Sequence, residues 1–346
     1  MDICKEFYTF YAKNLFLSVN LLGFTLNILC IIAFCHSNQL RHNKSNIFKY
    51  LLIKSISDAF ILSRNIVFKL FGNHFILFLN IQSCIITIIY EYYVGRVALL
   101  LSMMCEVATN FDRFRTIANR FLFLNKISFW IKFNFIILYC LLYYSYVFFQ
   151  DQCFEITANT TLSYNITSTI NYDIILVNSF KESRIGQFLR FFHSFFRDCF
   201  LIVLIVILNI STLVFMRNSF QRKRTMSLTQ TNNKKPRNKN AKLEKAEKNL
   251  TLMVFSSSLV NIIGHFVQFL WFLPIYQLKS SECLNEIGTI LLYLSYSINF
   301  FVYYSFNKHF KFYFNHYLIK ILKTITFNRI KLLSKTKYET SNFSQT

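Results

Sequence analysis

Proline and glycine are scarce in this sequence, with 2 Pro and 6 Gly among 346 residues. Transporters often contain broken helices and internal repeats, and no repeat is visible here. The 9 cysteines have neither C-x-x-C nor Cys/His spacing, so no zinc site or redox motif is supported. No Ser/His/Asp arrangement or H-E-x-x-H motif is present. The sequence therefore predicts a protein that is not an enzyme and needs no cofactor.

Acidic residues are also few, with 16 Asp and Glu against 38 Lys and Arg, which gives a net charge of +22. Such a charge can indicate nucleic-acid binding. Here, however, the basic residues lie between long apolar blocks, in a chain that is 54% hydrophobic and holds 42 Phe and 20 Tyr. We therefore expect a membrane protein whose basic segments contact anionic lipid and cytoplasmic proteins, and no nucleic-acid partner.

The apolar blocks are long enough to cross a bilayer, which takes about 20 residues as a helix. They predict an all-α membrane protein, a bundle of seven transmembrane helices followed by a short amphipathic helix. The predicted spans are residues 15–35, 47–71, 82–111, 127–149, 189–216, 250–273 and 286–306.

The orientation follows from the Lys and Arg content of the connections. The connections after spans one, three and five are the basic ones, so they are expected to be cytoplasmic. This predicts an extracellular segment 1–14, a bundle over 15–306 with a mobile basic third cytoplasmic loop at 217–249, and a helix and cytoplasmic tail over 307–346. The plasma membrane is the expected location.

Modification sites follow from this topology. The glycosylation sequons at Asn159 and Asn165 fall in the long outer loop. The hydroxyl residues Ser227, Thr229 and Thr231, and those of 334–346, are candidate phosphorylation sites on the inner side.

Several polar residues lie where polar groups are costly. Asn27 and Asp58 fall in the middle of spans one and two, and a carboxylate at that depth must face a wet or paired interior. Asp112 and Arg113 end span three, with Glu106 two helical turns above Arg113 on nearly the same face, so Glu106 needs a donor or a proton if Arg113 points into the bundle. Any one of them has a plain structural explanation, such as a helix–helix hydrogen bond for Asn27 or snorkelling for Arg113.

Asn299 and Tyr303 lie four residues apart at the end of span seven, on one helix face. With them, the sequence resembles the rhodopsin-like family of G-protein-coupled receptors over about residues 15–315. Asn27, Asp58, the Asp112-Arg113-Phe114 segment and the Asn299-to-Tyr303 segment match the family's motifs in order. The last segment, with Phe300 where proline is usual, looks most like invertebrate neuropeptide receptors, including those for FMRFamide-like peptides.

The resemblance implies a receptor that transmits the binding of an extracellular ligand, preferably a peptide, to a heterotrimeric G protein. Arrestin and kinases are implied as further partners. Asp112 would hold Arg113 at rest, and Asn299 and Tyr303 would rearrange with Asp58 around water or a sodium ion. A chemosensory receptor for a small molecule and, less favoured, a transporter or channel are the alternatives.

The sequence departs from the family at span six, which has His265 and Phe266 near the places of the family's Trp and Pro. Span five also lacks proline, so the hinge must either differ from the family's or be softer through Gly264.

The candidates for the ligand pocket are Arg64, Arg96, Glu91, His265 and Gln268. Arg64 and Arg96 lie in the outer half of the bundle and could bind an anionic group in bidentate fashion. The alternative is structural, with Arg96 paired to Glu91 and Arg64 snorkelling.

The resemblance also implies a disulfide between Cys84 and Cys153, both on the oxidising side. We expect mass spectrometry of an unreduced digest to recover the two peptides linked. Recovery of both cysteines as alkylated thiols, or of Cys283 linked to either one, would contradict this pairing.

Overall fold

The computed structural model describes residues 15–36, 46–75, 85, 88–119, 121–150, 152–155, 174–177, 183–229, 237–270, 281–308, 310–320 and 323–324. Cys84, Asn159 and Asn165 lie outside these residues, and the side chains of Cys153 and Glu91 are not described. The disulfide and the glycosylation sites therefore stay predictions.

Seven long helical segments form a bundle, as the apolar blocks predict. Span one is Phe16–His36, span two Ile47–Phe75, span four Phe129–Tyr143, span six Arg237–Leu270 and span seven Ser281–Phe306. Span three consists of the π-helix Ile88–Val94 and the α-helix Gly95–Ala118, and span five of Arg184–Phe195, the π-helix Phe196–Phe200 and Leu201–Thr229. Two short helices, the 3-10 helix Leu122–Asn125 and Val147–Gln150, lie on either side of span four. The expected seven-helix membrane bundle is confirmed.

Among the described residues, five helical stretches are long and apolar enough to cross a membrane, namely Phe16–His36, Ile88–Ala118, Arg184–Ser219, Glu244–Gln268 and Ile287–Phe306. Span four is apolar but has only 15 residues. Span two is interrupted by charged residues, among them Lys54, Asp58 and Arg64. Such charges are tolerated within a bilayer only where they face the bundle interior.

Two short strands are an exception to the all-α expectation. The strand β1 (Gln152–Glu155) pairs antiparallel with β2 (Ile174–Val177), with Cys153 opposite Leu176. Both strands lie in the connection between spans four and five. No helical period was expected there, and two four-residue strands that pair through their backbones need no apolar helix face.

The basic segment 217–249 differs from the expected mobile loop. Span five continues as a helix to Thr229, and span six already begins at Arg237. Lys and Arg are good helix formers, so a basic segment can extend a helix beyond the apolar part of a span. Span three likewise continues past Arg113 to Ala118.

Span five carries a π-helical turn, Phe196–Phe200. Such turns frequently occur at functional sites and are one known cause of helix bending. This turn presents Arg197 and the fully buried Asp198. Span five has no proline, and its helix instead changes to π-helical geometry where Arg197 and Asp198 lie.

The outer surface of the bundle is apolar and the interior is partly polar. Large hydrophobic side chains such as Leu22, Trp130 and Phe135 are exposed to the surroundings. Lipid tails are as apolar as these side chains, so their burial in protein is not required. The most extensive helix pairing joins spans six and seven.

A helix follows span seven over residues 310–320. Asn307 starts it, because its side-chain oxygen accepts a hydrogen bond from the Phe310 backbone N–H at 3.0 Å. The Phe310 ring is buried against Phe34 of span one, with ring centroids 5.3 Å apart. Phe312 on the other side is exposed. The predicted amphipathic helix is thus anchored to the bundle by Phe310 and also by Phe314, whose ring centroid lies 5.1 Å from that of Phe300.

Gly23 is the point of closest approach between span one and its neighbours. A Cβ atom placed there would collide with Ser297 Oγ of span seven and Leu62 of span two. We expect Gly23→Val to destabilise the protein by about 2 kcal/mol, because overpacking forces the helices apart. The measurement is the thermal unfolding of the purified protein in detergent. Leu22→Val is the matched control, since Leu22 is 58% exposed, and an equal loss of stability in both variants would contradict the assignment.

Candidate functional site

Asp58 lies at the centre of the bundle and is fully buried. Its Oδ1 accepts a hydrogen bond from Ser102 Oγ at 2.5 Å. Its Oδ2 accepts from Lys54 Nζ at 2.9 Å and from Asn299 Nδ2 at 3.3 Å. The carboxylate therefore joins spans two, three and seven, and its charge is matched by an ammonium group.

No role was predicted for Lys54, which is only 1% exposed. Its Nζ also lies 3.3 Å from Ser102 Oγ and 5.8 Å from the centre of the Tyr296 ring. The signal in the sequence is an acid and a base four residues apart within an apolar span, which places both on one helix face. The expected sodium ion at Asp58 does not suit this arrangement, because a cation of the protein is already bound to the carboxylate.

Asn299 extends the network from Asp58 to span six. Its Oδ1 accepts from Ser257 Oγ at 3.0 Å, and Ser257 Oγ lies 3.4 Å from Glu106 Oε2. Glu106 also accepts from Ser258 Oγ at 2.6 Å, and Asn110 Nδ2 donates to Ser258 Oγ at 2.8 Å. Hydroxyl and amide donors therefore satisfy the buried Glu106, which the sequence singled out as needing a donor or a proton.

The side-chain amide of Asn27 donates its hydrogen bonds to backbone carbonyls and not to Asp58. Its Nδ2 donates to the Gly23 carbonyl at 2.9 Å and to the Tyr296 carbonyl at 3.0 Å. It thus fixes span one to span seven one turn away from Asn299. Tyr303 is also buried, and its ring packs on Phe34 at 5.4 Å between centroids, but its hydroxyl makes no hydrogen bond within the described part of the chain.

Arg113 reaches from span three to span six at the end of the bundle that is predicted to be cytoplasmic. Its Nε and Nη2 lie 2.9 Å and 2.7 Å from Thr251 Oγ1, and Nη2 donates to the Glu247 carbonyl at 2.6 Å. Asp112 instead pairs with Arg115, with Nη2 2.5 Å from Oδ1. The expectation that Asp112 holds Arg113 is therefore wrong for this structure. Consecutive helix residues point about 100° apart, so Asp112 and Arg113 face different neighbours.

A second charged cluster lies between spans four, five and six. Arg197 binds the Asp198 carboxylate through both Nε and Nη2, and its Nη1 lies 3.4 Å from the Tyr144 hydroxyl. His265 Nδ1 is 3.0 Å from Asp198 Oδ1. The sequence placed His265 among the pocket candidates but gave no role to Asp198. An adjacent Arg and Asp inside a span was the available signal.

Two buried polar atoms at this cluster lack a hydrogen-bond partner among the described residues. They are His265 Nε2 and the Tyr296 hydroxyl oxygen. The two rings are 6.2 Å apart between centroids. Buried polar atoms without a partner are rare, and each needs an explanation such as water or a ligand.

The other pocket candidates are spread over the outer half of the bundle. Arg64 lies across Gly95 of span three and donates to Asn65 Oδ1 at 3.2 Å. The Arg96 guanidinium lies 5.7 Å from the Tyr92 ring centre. Gln268 Oε1 is 3.4 Å from Thr289 Oγ1 of span seven. The alternative pairing of Arg96 with Glu91 stays a prediction, because the side chain of Glu91 lies outside the described residues.

Among the described residues, no group of three or more His, Cys, Asp or Glu side chains could hold a metal ion. The arrangement contains hydrogen-bonded networks that join helices, and buried ion pairs that each lie within one helix. Networks of this kind can hold two helix arrangements apart, which is the requirement for a conformational switch.

Comparison with known proteins gives a result for the structure and none for the sequence. No family model matches the chain, and no curated protein is similar to it. The structure is similar to the crystal structure of squid rhodopsin, with a TM-score of 0.66 over 91% of this chain and 86% of that chain, at 15% sequence identity. At this identity the likeness establishes the fold alone. The chain has the seven-helix fold of the rhodopsin-like receptors.

Proposed function

We propose that the protein is a receptor in the plasma membrane that transmits the binding of an extracellular ligand to a heterotrimeric G protein. The observation that supports this most is the bond between Arg113 of span three and Thr251 of span six. It closes the cytoplasmic end of the bundle at the place where the resemblance puts G-protein contact. An outward movement of span six would break this bond and free the guanidinium.

The central network would transmit a helix movement from the outer half of the bundle toward the bond between Arg113 and Thr251. Asp58, Asn299, Ser257 and Glu106 form an unbroken series of contacts across spans two, seven, six and three. Span six takes part in two of these contacts, one with span seven and one with span three, so a shift of span six must rearrange them. An agonist activates such a two-state bundle only if it binds the rearranged state more tightly.

The ligand is proposed to carry an acidic group or strong hydrogen-bond acceptors, with a peptide favoured. Arg64, Arg96 and Arg197 bring three guanidinium groups to the outer half, and Asp198 neutralises Arg197. The unpartnered His265 Nε2 and Tyr296 hydroxyl would form the floor of the ligand site. A ligand that displaces His265 from Asp198 acts directly on span six.

The remaining roles follow from the topology and from the resemblance. The N-terminal segment and the strand pair would lie outside, and the basic ends of spans five and six would lie inside near anionic lipid. Arrestin and kinases are the further cytoplasmic partners proposed. The rival function, transport of ions or solutes, predicts flux in transfected cells and no nucleotide exchange on a G protein.

The cytoplasmic bond gives a first prediction. Replacement of Thr251 by Val removes the hydroxyl without changing the shape, and a hydrogen bond to a charged group contributes about 2 kcal/mol. Because the Glu247 carbonyl remains as an acceptor, we expect a gain in basal nucleotide exchange of about 5-fold, which corresponds to ~1 kcal/mol. Exchange is measured with a panel of G proteins at equal surface expression.

Thr116→Val is the matched control for this experiment. The Thr116 hydroxyl donates to the Asp112 carbonyl within span three at 2.7 Å, so its loss leaves span six untouched. Arg113→Ala should abolish exchange in both backgrounds, because the residue that meets the G protein is gone. Equal basal exchange in the two Thr→Val variants, or full exchange with Arg113→Ala, would contradict the proposal.

The outer arginines give a second prediction. Once a peptide-library screen has identified an agonist, Arg64→Gln and Arg96→Gln should each lower its potency about 10-fold, because a charge-assisted hydrogen bond of ~1.4 kcal/mol is lost. The same peptide with its acidic group neutralised should not distinguish wild type from variant. Arg184→Gln, at the exposed start of span five, controls for loss of surface charge. Unchanged potency in both pocket variants would leave Arg64 and Arg96 with structural roles only.

A further inference from the structure

We propose that Lys54 is a built-in counter-ion of Asp58, so that the centre of this bundle binds its own ammonium group and takes no sodium ion. The observation is the contact of 2.9 Å between Lys54 Nζ and Asp58 Oδ2, in which both side chains are no more than 2% exposed. The inference concerns the chemistry of the bundle centre and does not depend on the ligand or on the G protein.

A carboxylate at this depth has to be matched by a cation or a proton. Burial without compensation is so costly that the group would otherwise neutralise itself. A free metal ion, a proton and a lysine are therefore alternative solutions to the same electrostatic requirement. In this structure the cation is the lysine, Lys54.

The donor set around Asp58 leaves no place for a second cation. Hard cations such as sodium bind oxygen ligands, and several are needed to replace their hydration shell. Here Ser102 Oγ, the nearest hydroxyl, donates to Asp58 Oδ1 and also lies 3.3 Å from Lys54 Nζ. The remaining Asp58 oxygen accepts from Lys54 and from Asn299. A sodium ion would have to compete for the same oxygens beside a fixed positive charge.

The other charged group near this site has separate partners. Glu106 accepts from Ser258 and Asn110 and lies near Ser257. The face of the Tyr296 ring lies on another side of the ammonium, and such a ring attracts a cation through its quadrupole. The Lys54 charge is therefore surrounded by groups that favour it.

The position of Lys54 on the same helix as Asp58 has a mechanical consequence. The two residues are four positions apart, so their contact depends on span two alone and not on how spans six and seven are placed. A free ion can leave when a bundle rearranges, whereas an ammonium group that is covalently attached to span two remains beside Asp58. The bond from Asn299 to Asp58 can therefore change while the charge of Asp58 stays compensated.

The test uses the thermal unfolding of the purified full-length protein in detergent, with about 150 mM sodium chloride exchanged for potassium chloride. We expect the wild-type melting temperature to be the same in both salts. In Lys54→Met the carboxylate loses its partner, and sodium should raise the melting temperature by at least about 2 °C relative to potassium, as expected when an ion binds only the folded state.

Two further variants make the result specific. Lys49→Met removes an ammonium from the same helix, one that lies over the Phe129 ring at 5.0 Å, and it should show no difference between the salts. The double variant Lys54→Met/Asp58→Asn removes both charges and should also be insensitive to sodium. If Lys54→Met alone fails to fold, recovery of folding in the double variant supports the proposal, because an unpaired buried charge is the cause of such a loss.

Several outcomes would overturn the proposal. One is a sodium-specific stabilisation of the wild type that disappears in Asp58→Asn. Another is a folded Lys54→Met variant whose melting temperature does not depend on the salt. The third is failure of both Lys54→Met and the double variant to fold, which would show that the lysine acts through packing and not through its charge.

Discussion

The burial of the Asp58 carboxylate in the middle of a membrane bundle is the constraint on which the rest of the interior depends. A charge at that depth is tolerated only with a full set of partners, and these come from three helices through Lys54, Ser102 and Asn299. Asn299 in turn places Ser257 of span six, which contacts Glu106 of span three. The requirement of one side chain thus sets the relative positions of four helices.

Under the proposed function, this network lets a bundle with little proline take more than one arrangement. Spans five and six have no proline, and Gly264 of span six allows close approach to Ser295 of span seven. The contacts between spans six and seven in the centre are made by serine and asparagine, whose bonds can be exchanged at small cost. In place of a proline kink, span five has the π-helical turn that carries Arg197 and Asp198. Under the proposed function, we infer that the switch is a change of polar partners and not the opening of a proline hinge.

The two ends of span six, predicted to be its outer and its cytoplasmic end, are held by different kinds of bond. At the outer end, His265 meets a buried ion pair. At the cytoplasmic end, Arg113 meets a hydroxyl and a backbone carbonyl, which are neutral acceptors. A neutral partner binds a guanidinium less strongly than a carboxylate does. Under the proposed function, the bond of Arg113 to these neutral acceptors is the one that a G protein can replace.

The sequence by itself determined the seven spans and the depth of Asn27, Asp58 and Asn299, because the bilayer penalises polar groups and a helix repeats at a fixed period. It also identified Glu106 as a residue that needs donors. Only the tertiary structure decided which partner each side chain takes. Asp112 and Arg113 are adjacent in sequence, yet the helix turns them toward Arg115 and Thr251. Lys54 could be read as a neighbour of Asp58, but its contact with Ser102 depends on how span three packs on span two. The helical period of a segment fixes the face on which a residue lies. The partner that the residue meets across the interface depends on the rotation and depth of the neighbouring helix, and no single segment encodes these.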